Sequence, residues 1–196
     1  MPAKILSESE LSQGDLSQGD LWVFGYGSLM WRPGFEYREA LPAMLRGVHR
    51  SLCVYSWVHR GTRERPGLVL GLDRGGSCRG IAYRVAGPKR DAVMAYLRER
   101  ELVTEVYREV WRPAVLTPAS SMVQAITYVA DRRHEQYAGG LPRQNLLDLV
   151  RTSVGRSGSN ADYIVNTVRH LRSLGIRDAI LEWLADALGG EGHGQA

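Results

Sequence analysis

Short apolar runs with strand character recur along the first 130 residues. Residues 21–26 form one such run, which ends at Gly27, as expected of a buried strand that leads into a turn. Three further strand-like segments, separated by Gly, Pro, Arg and Asp, span residues 43–57, 68–72 and 80–85. Two more strand candidates follow at residues 107–116 and 122–130. The pattern therefore predicts a core built mainly from strands.

Helical spacing appears once between these strands and again in the last third of the chain. Residues 89–100 carry Val93, Tyr96 and Leu97 three or four positions apart, and Pro88 stands where the helix opens. The later helical segments lie at residues 146–150, 163–174 and 177–188. Because strands and helices do not alternate regularly, we expect one α+β domain, with a mixed sheet or small barrel and helices packed on its outside.

The two ends of the chain have a different composition from the rest. Residues 11–20 repeat Leu-Ser-Gln-Gly-Asp twice, and such a polar, glycine-containing segment predicts a flexible leader over residues 1–20. The Gly-rich segment 189–196 predicts a flexible tail. The folded domain is expected to span residues 21–188.

Composition agrees with one folded domain. The chain has 196 residues, 44% of them apolar and 23% charged, which is the balance of a globular protein with a real core. No run approaches the roughly 18 apolar residues of a membrane span, and residues 1–20 lack the pattern of a secretory signal, so we expect a cytoplasmic protein that binds no membrane. The net charge of +4 comes from arginines spread along the chain, which argues against nucleic-acid binding. The oligomeric state is left open.

The cysteines and histidines indicate neither a disulfide framework nor a metal site. Cys53 and Cys78 each lie in an apolar, strand-like context, where a buried thiol is favoured over a nucleophile. The five histidines are isolated and lack the His-x-x-x-His or Glu-x-x-His spacing of metal ligands. We therefore expect no bound metal.

The segment Gly-Tyr-Gly-Ser-Leu at residues 25–29 follows the first strand directly. Glycines let the backbone turn sharply and bring N–H groups against an anion such as a carboxylate or a developing oxyanion. An ordinary tight turn explains the spacing equally well. Ser28 lacks the Gly-x-Ser-x-Gly context and an evident histidine partner, so it is expected to act through its backbone rather than as a nucleophile.

Three carboxylates, Glu99, Glu101 and Glu105, cluster near the end of the middle helix with arginines between them. Such a mixture is usually a solvated helix end. One of the three becomes chemically useful if the fold turns it inward, because desolvation then raises its pKa. The spacing alone does not choose between these two readings.

Several segments together resemble the ChaC-like γ-glutamylcyclotransferases. The segment 21–31, Leu-Trp-Val-Phe-Gly-Tyr-Gly-Ser-Leu-Met-Trp, is similar to the opening signature of that family. Shorter motifs continue the resemblance in the same order, and it covers about residues 21–184. They are His59-Arg60-Gly61, Arg65-Pro66-Gly67, Gly80-Ile81-Ala82-Tyr83-Arg84, Ala95-Tyr96-Leu97, Arg100-Glu101, and the run Gly-Arg-Ser-Gly-Ser-Asn-Ala-Asp-Tyr at residues 155–163.

The resemblance implies a mixed β-barrel-like core flanked by helices. It also implies a lyase reaction without a cofactor, which releases 5-oxoproline from γ-glutamyl compounds, with glutathione as the characteristic small-molecule substrate. Glu101 occupies the place of the family's catalytic glutamate. The resemblance further implies that the substrate is bound by Tyr26, Gly27, Ser28, Leu29, Tyr107 and Tyr163.

In the reaction that we hypothesise, the α-amine of the γ-glutamyl group attacks its own γ-carbonyl, so that orientation supplies much of the catalysis. Glu101 then serves first as the base and afterwards as the acid that protonates the leaving amine.

Residues 102–106 depart from the family pattern. Some members follow the catalytic glutamate with a glycine-containing spacer, whereas this chain has Leu-Val-Thr-Glu-Val before Tyr107. The departure bears on the role of Tyr107 and on the substrate preference more than on the reaction. Two alternatives stay open, namely a cyclotransferase for other γ-glutamyl compounds and a binding or regulatory module without chemistry.

Overall fold

Five long strands form the core of the protein, whose computed structural model describes residues 19–189. They are β1 (Leu21–Gly25), β2 (Glu39–Ser56), β3 (Gly67–Val85), β4 (Tyr107–Leu116) and β5 (Met122–Ala130). The strands close into a barrel in the order β1-β3-β2-β4-β5, and parallel pairing of Trp22 with Ala125 joins β1 to β5. The predicted mixed sheet or small barrel is thus confirmed.

The strands β4 and β5 span the residues predicted for them, whereas the runs 68–72 and 80–85 are parts of one long strand, β3. The prediction of two separate strands is therefore wrong at this point. Between the two runs β3 keeps pairing with β2 across a register shift. Gly47, Gly75 and Gly76 have positive φ angles of 78°, 98° and 68°, so this pair of strands bends at an irregularity instead of ending there.

Helices cover the outside of the barrel, as predicted. They are α1 (Arg90–Glu101), which follows a 3₁₀ turn at Gly87–Lys89, and then α2 (Arg143–Thr152), α3 (Asn160–Ser173) and α4 (Ala179–Gly189). Their buried side chains join those of the strands in one apolar cluster. None of the helices within residues 19–189 is long and apolar enough to cross a membrane.

A buried asparagine fixes α3 against the barrel. The side chain of Asn160 donates to the carbonyl oxygen of Leu68 at 2.8 Å and accepts from the N–H of the same residue at 2.6 Å. A small hairpin, β6 (Val154–Gly155) with β7 (Gly158–Ser159), leads into α3, and Ser159 caps the helix by accepting from the N–H of Asp162. The start of α3 is therefore held in register with β3.

The predicted leader and tail lie almost wholly outside the described residues. Of residues 1–20 only Gly19 and Asp20 are described, and of residues 189–196 only Gly189, which ends α4. The Asp20 carboxylate accepts hydrogen bonds from Arg84 Nε at 2.6 Å and from the N–H of Gly87 at 3.1 Å. These contacts anchor the chain just before β1. The flexibility of both ends stays a prediction.

Candidate active site

A cavity of about 250 Å³ opens where the end of β1, the start of β3, the end of α1 and the start of α3 meet. All seven residues that the sequence singled out line it, so positions spread over more than 130 residues of sequence come together in one place. These residues are Tyr26, Gly27, Ser28, Leu29, Glu101, Tyr107 and Tyr163. The cavity is completed by His59, Arg60, Val69, Leu70, Tyr128 and Ser157.

Glu101 faces the cavity because of its place on α1. It follows Val93 and Leu97 at intervals of four, and both of those side chains are buried against the barrel. Glu101 is therefore on the inward face of the helix, and its side chain is only 18% exposed. By contrast, Glu99 and Glu105 are exposed, so the solvated-helix interpretation holds for them. Burial raises the pKa of the Glu101 carboxyl above its ordinary value, and the neighbouring Arg100 offsets part of that rise.

Arg100 connects Glu101 with the loop after β1. Its Nε lies 3.2 Å from Glu101 Oε1, and one terminal nitrogen donates to Ser28 Oγ at 2.9 Å. The other terminal nitrogen donates to the carbonyl oxygen of Arg32 at 2.7 Å and to the Tyr96 hydroxyl at 2.9 Å. Sequence reasoning treated this arginine as part of a charged helix end. Its spacing of four from Tyr96 agrees with one of these contacts, but no signal in the sequence indicates the contact with Ser28.

Two buried side chains bind the backbone of the loop after β1. The Tyr83 hydroxyl lies 3.0 Å from the carbonyl oxygen of Leu29 and 2.8 Å from that of Met30. Arg50, whose side chain is 5% exposed, donates from Nε to the carbonyl oxygen of Tyr26 at 2.6 Å. These contacts hold the backbone of the loop against the barrel.

The first amides of this loop are free to bind an anion. Ser28–Met30 form a single 3₁₀ turn, and the first N–H groups of a helical turn have no partner within it. No backbone hydrogen bond within residues 19–189 outside the regular elements uses the N–H of Ser28 or Leu29. Both residues line the cavity, which makes their amides candidate donors to a carboxylate or an oxyanion.

Two of the three tyrosines bind the backbone of a single residue, Leu70 on β3. The Tyr107 hydroxyl donates to the carbonyl oxygen of Leu70 at 2.7 Å, and the Tyr163 hydroxyl accepts from its N–H at 3.2 Å. The Tyr26 hydroxyl makes no hydrogen bond to the described residues. Burial raises the pKa of all three phenols, so they act as neutral hydrogen-bonding groups.

Arg60 is a further lining residue that holds the hairpin before α3. It donates to the carbonyl oxygen of Ser157 at 2.5 Å and lies over the Tyr163 ring, with the guanidinium carbon 5.2 Å from the ring centre. Both contacts orient the wall of the cavity.

The cysteines take no part in this site. Both are buried and free, as expected. Burial raises the pKa of the Cys53 thiol to about 12 and also raises that of Cys78. Within residues 19–189 no three His, Cys, Asp or Glu side chains stand close enough together to hold a metal ion. The residues that line the 250 Å³ cavity offer proton transfer by Glu101 beside a set of hydrogen-bond donors.

Comparison with known proteins gives one family. The model of the ChaC-like protein family matches residues 21–189. A relative from Escherichia coli (strain K12), named glutathione-specific gamma-glutamylcyclotransferase, is 35% identical over 158 residues, which cover 81% of this chain and 68% of the relative. A mouse relative, glutathione-specific gamma-glutamylcyclotransferase 1, is 34% identical over 175 residues, covering 86% and 78%. Gamma-glutamylcyclotransferase 2-3 from Arabidopsis thaliana is 32% identical over 173 residues, covering 85% and 87%.

A solved structure has the same fold. The crystal structure of a γ-glutamyl cyclotransferase specific to glutathione from yeast superposes with a TM-score of 0.78 and covers 90% of this chain and 98% of its own. The sequence identity is 21%, so the likeness concerns the fold. It agrees with the barrel and flanking helices described above.

Proposed function

The chain belongs to the ChaC-like protein family, and we propose that it is a glutathione-specific γ-glutamylcyclotransferase, a lyase that forms 5-oxoproline and cysteinylglycine. The observation that carries this proposal is the position of Glu101. Among the described residues that line the 250 Å³ cavity it is the one carboxylate, and it stands opposite the loop of Tyr26 to Leu29. A cavity of this size suits a small-molecule substrate, and a single carboxylate suits a reaction in which a proton is transferred. A cytoplasmic location stays a prediction.

The reaction closes a five-membered ring. The α-amine nitrogen of the γ-glutamyl group attacks the γ-carbonyl carbon of the same group and forms the new C–N bond. The amide C–N bond to cysteine then breaks. Because both reacting groups belong to one molecule, the protein has to hold the bent conformation and needs no nucleophile of its own.

Glu101 moves the proton in this scheme. The amine is largely protonated in neutral solution, and only its neutral form attacks. The ammonium first gives up one proton to solvent. As the neutral amine attacks, Glu101 accepts the further proton that the bond-forming nitrogen loses and donates it to the nitrogen of the departing cysteinylglycine, which returns the carboxylate to its ionised state. Burial supports both steps, because it raises the pKa of Glu101 towards the working pH.

The loop of residues 26–29 stabilises negative charge on the substrate. This charge develops on the γ-carbonyl oxygen or is already present on the α-carboxylate. The N–H groups of Ser28 and Leu29 and the Tyr26 hydroxyl, which bonds to no other group within residues 19–189, are the donors that this loop offers. Fixed donors in a partly dry cavity stabilise a developing charge more than water does. Tyr107 and Tyr163 hold the β3 side of the cavity through the backbone of Leu70.

A second candidate is a cyclotransferase that acts on other γ-glutamyl compounds. The Arabidopsis relative carries a name that does not restrict it to glutathione. The altered spacer at residues 102–106 directly follows Glu101, and a different shape there would favour another substrate.

The test measures 5-oxoproline formation by the purified protein from glutathione, γ-Glu-Ala and a γ-glutamylamine. We expect kcat/KM to be highest for glutathione, by about tenfold or more, because a site that binds the polar groups of one substrate rejects analogues that lack them. A higher kcat/KM for γ-Glu-Ala or the amine would favour the second candidate. If no substrate is turned over, the protein is a binding module and the proposal is wrong.

A further inference from the structure

A second cavity, of about 430 Å³, adjoins the first one and shares Glu101 with it. His59, Val69 and Tyr107 also line both cavities. We propose that this second cavity binds the cysteinylglycine part of glutathione and that Arg63 binds its terminal carboxylate. The inference rests on the proposed function and adds to it the residue that selects for a substrate with a free carboxyl end.

The chemistry at Glu101 requires the leaving group to lie on this side. The first cavity contains the amide and hydroxyl donors, and at about 250 Å³ it is below the roughly 300–1,000 Å³ of most small-molecule sites. A tripeptide therefore extends beyond it. Glu101 has to reach both the attacking amine and the departing nitrogen, so the scissile bond lies beside Glu101. The rest of the substrate then enters the second cavity.

The mouth of the second cavity has an apolar rim. Val58 is 50% exposed and Val103 is 70% exposed, although both are large apolar side chains, and the half-buried Trp57 lies next to them. Val103 belongs to the spacer in which this chain departs from the family pattern. An apolar rim suits the CH₂–SH side chain of cysteine, which loses contact with water when it binds there.

Arg63 is the cation at this rim that is free to bind an anion. Its guanidinium lies over the Trp57 ring at 4.2 Å from the centre, so the ring orients it. Its ion pair with Glu135 is loose, at 3.9 Å, and it makes no hydrogen bond to residues 19–189. The flat fork of an arginine binds a carboxylate through two parallel hydrogen bonds.

The other basic side chains that line the second cavity already have partners. Arg100 binds Glu101, Ser28, Tyr96 and the carbonyl of Arg32. The Nδ1 of His59 contacts Ser157 Oγ at 3.0 Å, and that of His134 accepts from the N–H of Gln136 at 3.1 Å. Any of these side chains would lose a hydrogen bond if it turned towards the substrate carboxylate, whereas Arg63 would lose only its loose ion pair with Glu135.

The test compares two substrates that differ in a single group, namely glutathione and glutathione amidated at its glycine carboxyl. The proteins are the wild type, Arg63→Met, Arg63→Lys and the control Arg133→Met. Arg133 is exposed and lines neither cavity, so its replacement removes the same charge elsewhere on the surface. Steady-state 5-oxoproline formation gives kcat and KM for each combination.

We expect Arg63→Met to raise KM for glutathione about two- to fivefold, the range of an exposed ion pair, and to leave kcat unchanged because Arg63 is remote from the reacting bond. The amide should show the same KM in both proteins, and Arg63→Lys should lie in between. Equal losses on both substrates, or an equal effect of Arg133→Met, would overturn the inference. Failure of the wild type to release 5-oxoproline from glutathione would instead overturn the proposed function.

Discussion

Arg100 and Glu101 are neighbours in the chain, and their side chains meet at 3.2 Å between Nε and Oε1. The same guanidinium donates to Ser28 Oγ, so one side chain ties the carboxylate to the loop on the opposite wall. Because burial raises the pKa of Glu101 while Arg100 lowers it, this pair sets the pH range in which the carboxylate is ionised. In our account Arg100 positions the base and tunes it.

Replacing Arg100 with Met tests that role. Without the cation the pKa of Glu101 rises further, so the acidic limb of the pH profile of kcat/KM should move to higher pH. We also expect kcat above this limb to fall about tenfold or more, because the carboxylate loses its orientation. Arg108→Met, which alters an exposed side chain on β4, should change neither quantity. If kcat fell but the acidic limb of the pH profile stayed at the same pH, Arg100 would not control the protonation of Glu101.

Replacing Tyr26 and Tyr83 in turn distinguishes a hydroxyl that binds substrate from one that supports the loop after β1. Tyr26→Phe removes a hydroxyl that bonds to none of the described residues, so we expect the free energy of unfolding to stay the same and kcat/KM to fall about tenfold, the value of one hydrogen bond to substrate. Tyr83→Phe removes the hydroxyl that holds the carbonyls of Leu29 and Met30. It should lower the free energy of unfolding by about 1 kcal/mol.

Denaturant unfolding and steady-state kinetics on both variants check this pair. The account would be contradicted if Tyr26→Phe destabilised the fold as much as Tyr83→Phe did, because the Tyr26 hydroxyl would then be a structural group.

Glu101→Gln should be more stable than the wild type at neutral pH. In the unfolded chain this carboxyl ionises in the ordinary glutamate range, but in the folded protein burial raises its pKa. As the pH rises from that range through the raised pKa, the folded state has to accommodate a poorly solvated charge and loses stability relative to the unfolded chain. Glutamine does not ionise, so its advantage should appear above the raised pKa and disappear as the pH falls towards about 4.

Urea unfolding of both proteins at pH 4 and at pH 7.5 measures this difference. The matched change Glu99→Gln affects an exposed carboxylate one residue from Arg100 and should leave the difference near zero at both values. If Glu101→Gln were the less stable protein at pH 7.5, the ion pair with Arg100 would outweigh the burial of the charge.

The strand pattern and the family motifs predicted most of this architecture, and the misses have local causes. The bounds of β4 and β5 agree with the predicted strands, which are rich in β-branched and aromatic residues. The prediction divides β3 because Gly, Arg and Asp separate its two apolar runs, whereas in the structure Gly75 and Gly76 sit at a bend in a continuous ladder. A glycine pair by itself does not distinguish between these two structures.

The residues of the site could likewise be predicted from the sequence only in part. The inward position of Glu101 could have been obtained from the spacing of Val93 and Leu97 along α1. The roles of Arg100 and Arg63 could not be predicted in this way. Arg100 contacts Ser28, which comes from another part of the fold, and Arg63 stacks on the ring of Trp57, several residues away in the chain. Such contacts are set by the closure of the barrel and leave no periodic signal in the sequence.

The most direct test of the central claim is 5-oxoproline release from glutathione by the wild type, Glu101→Gln and Glu99→Gln, each shown to be folded. We predict that the wild type and Glu99→Gln release it at similar rates and that Glu101→Gln is slower by about a hundredfold or more, the range for loss of a general base. Near-normal release by a folded Glu101→Gln protein would contradict the account.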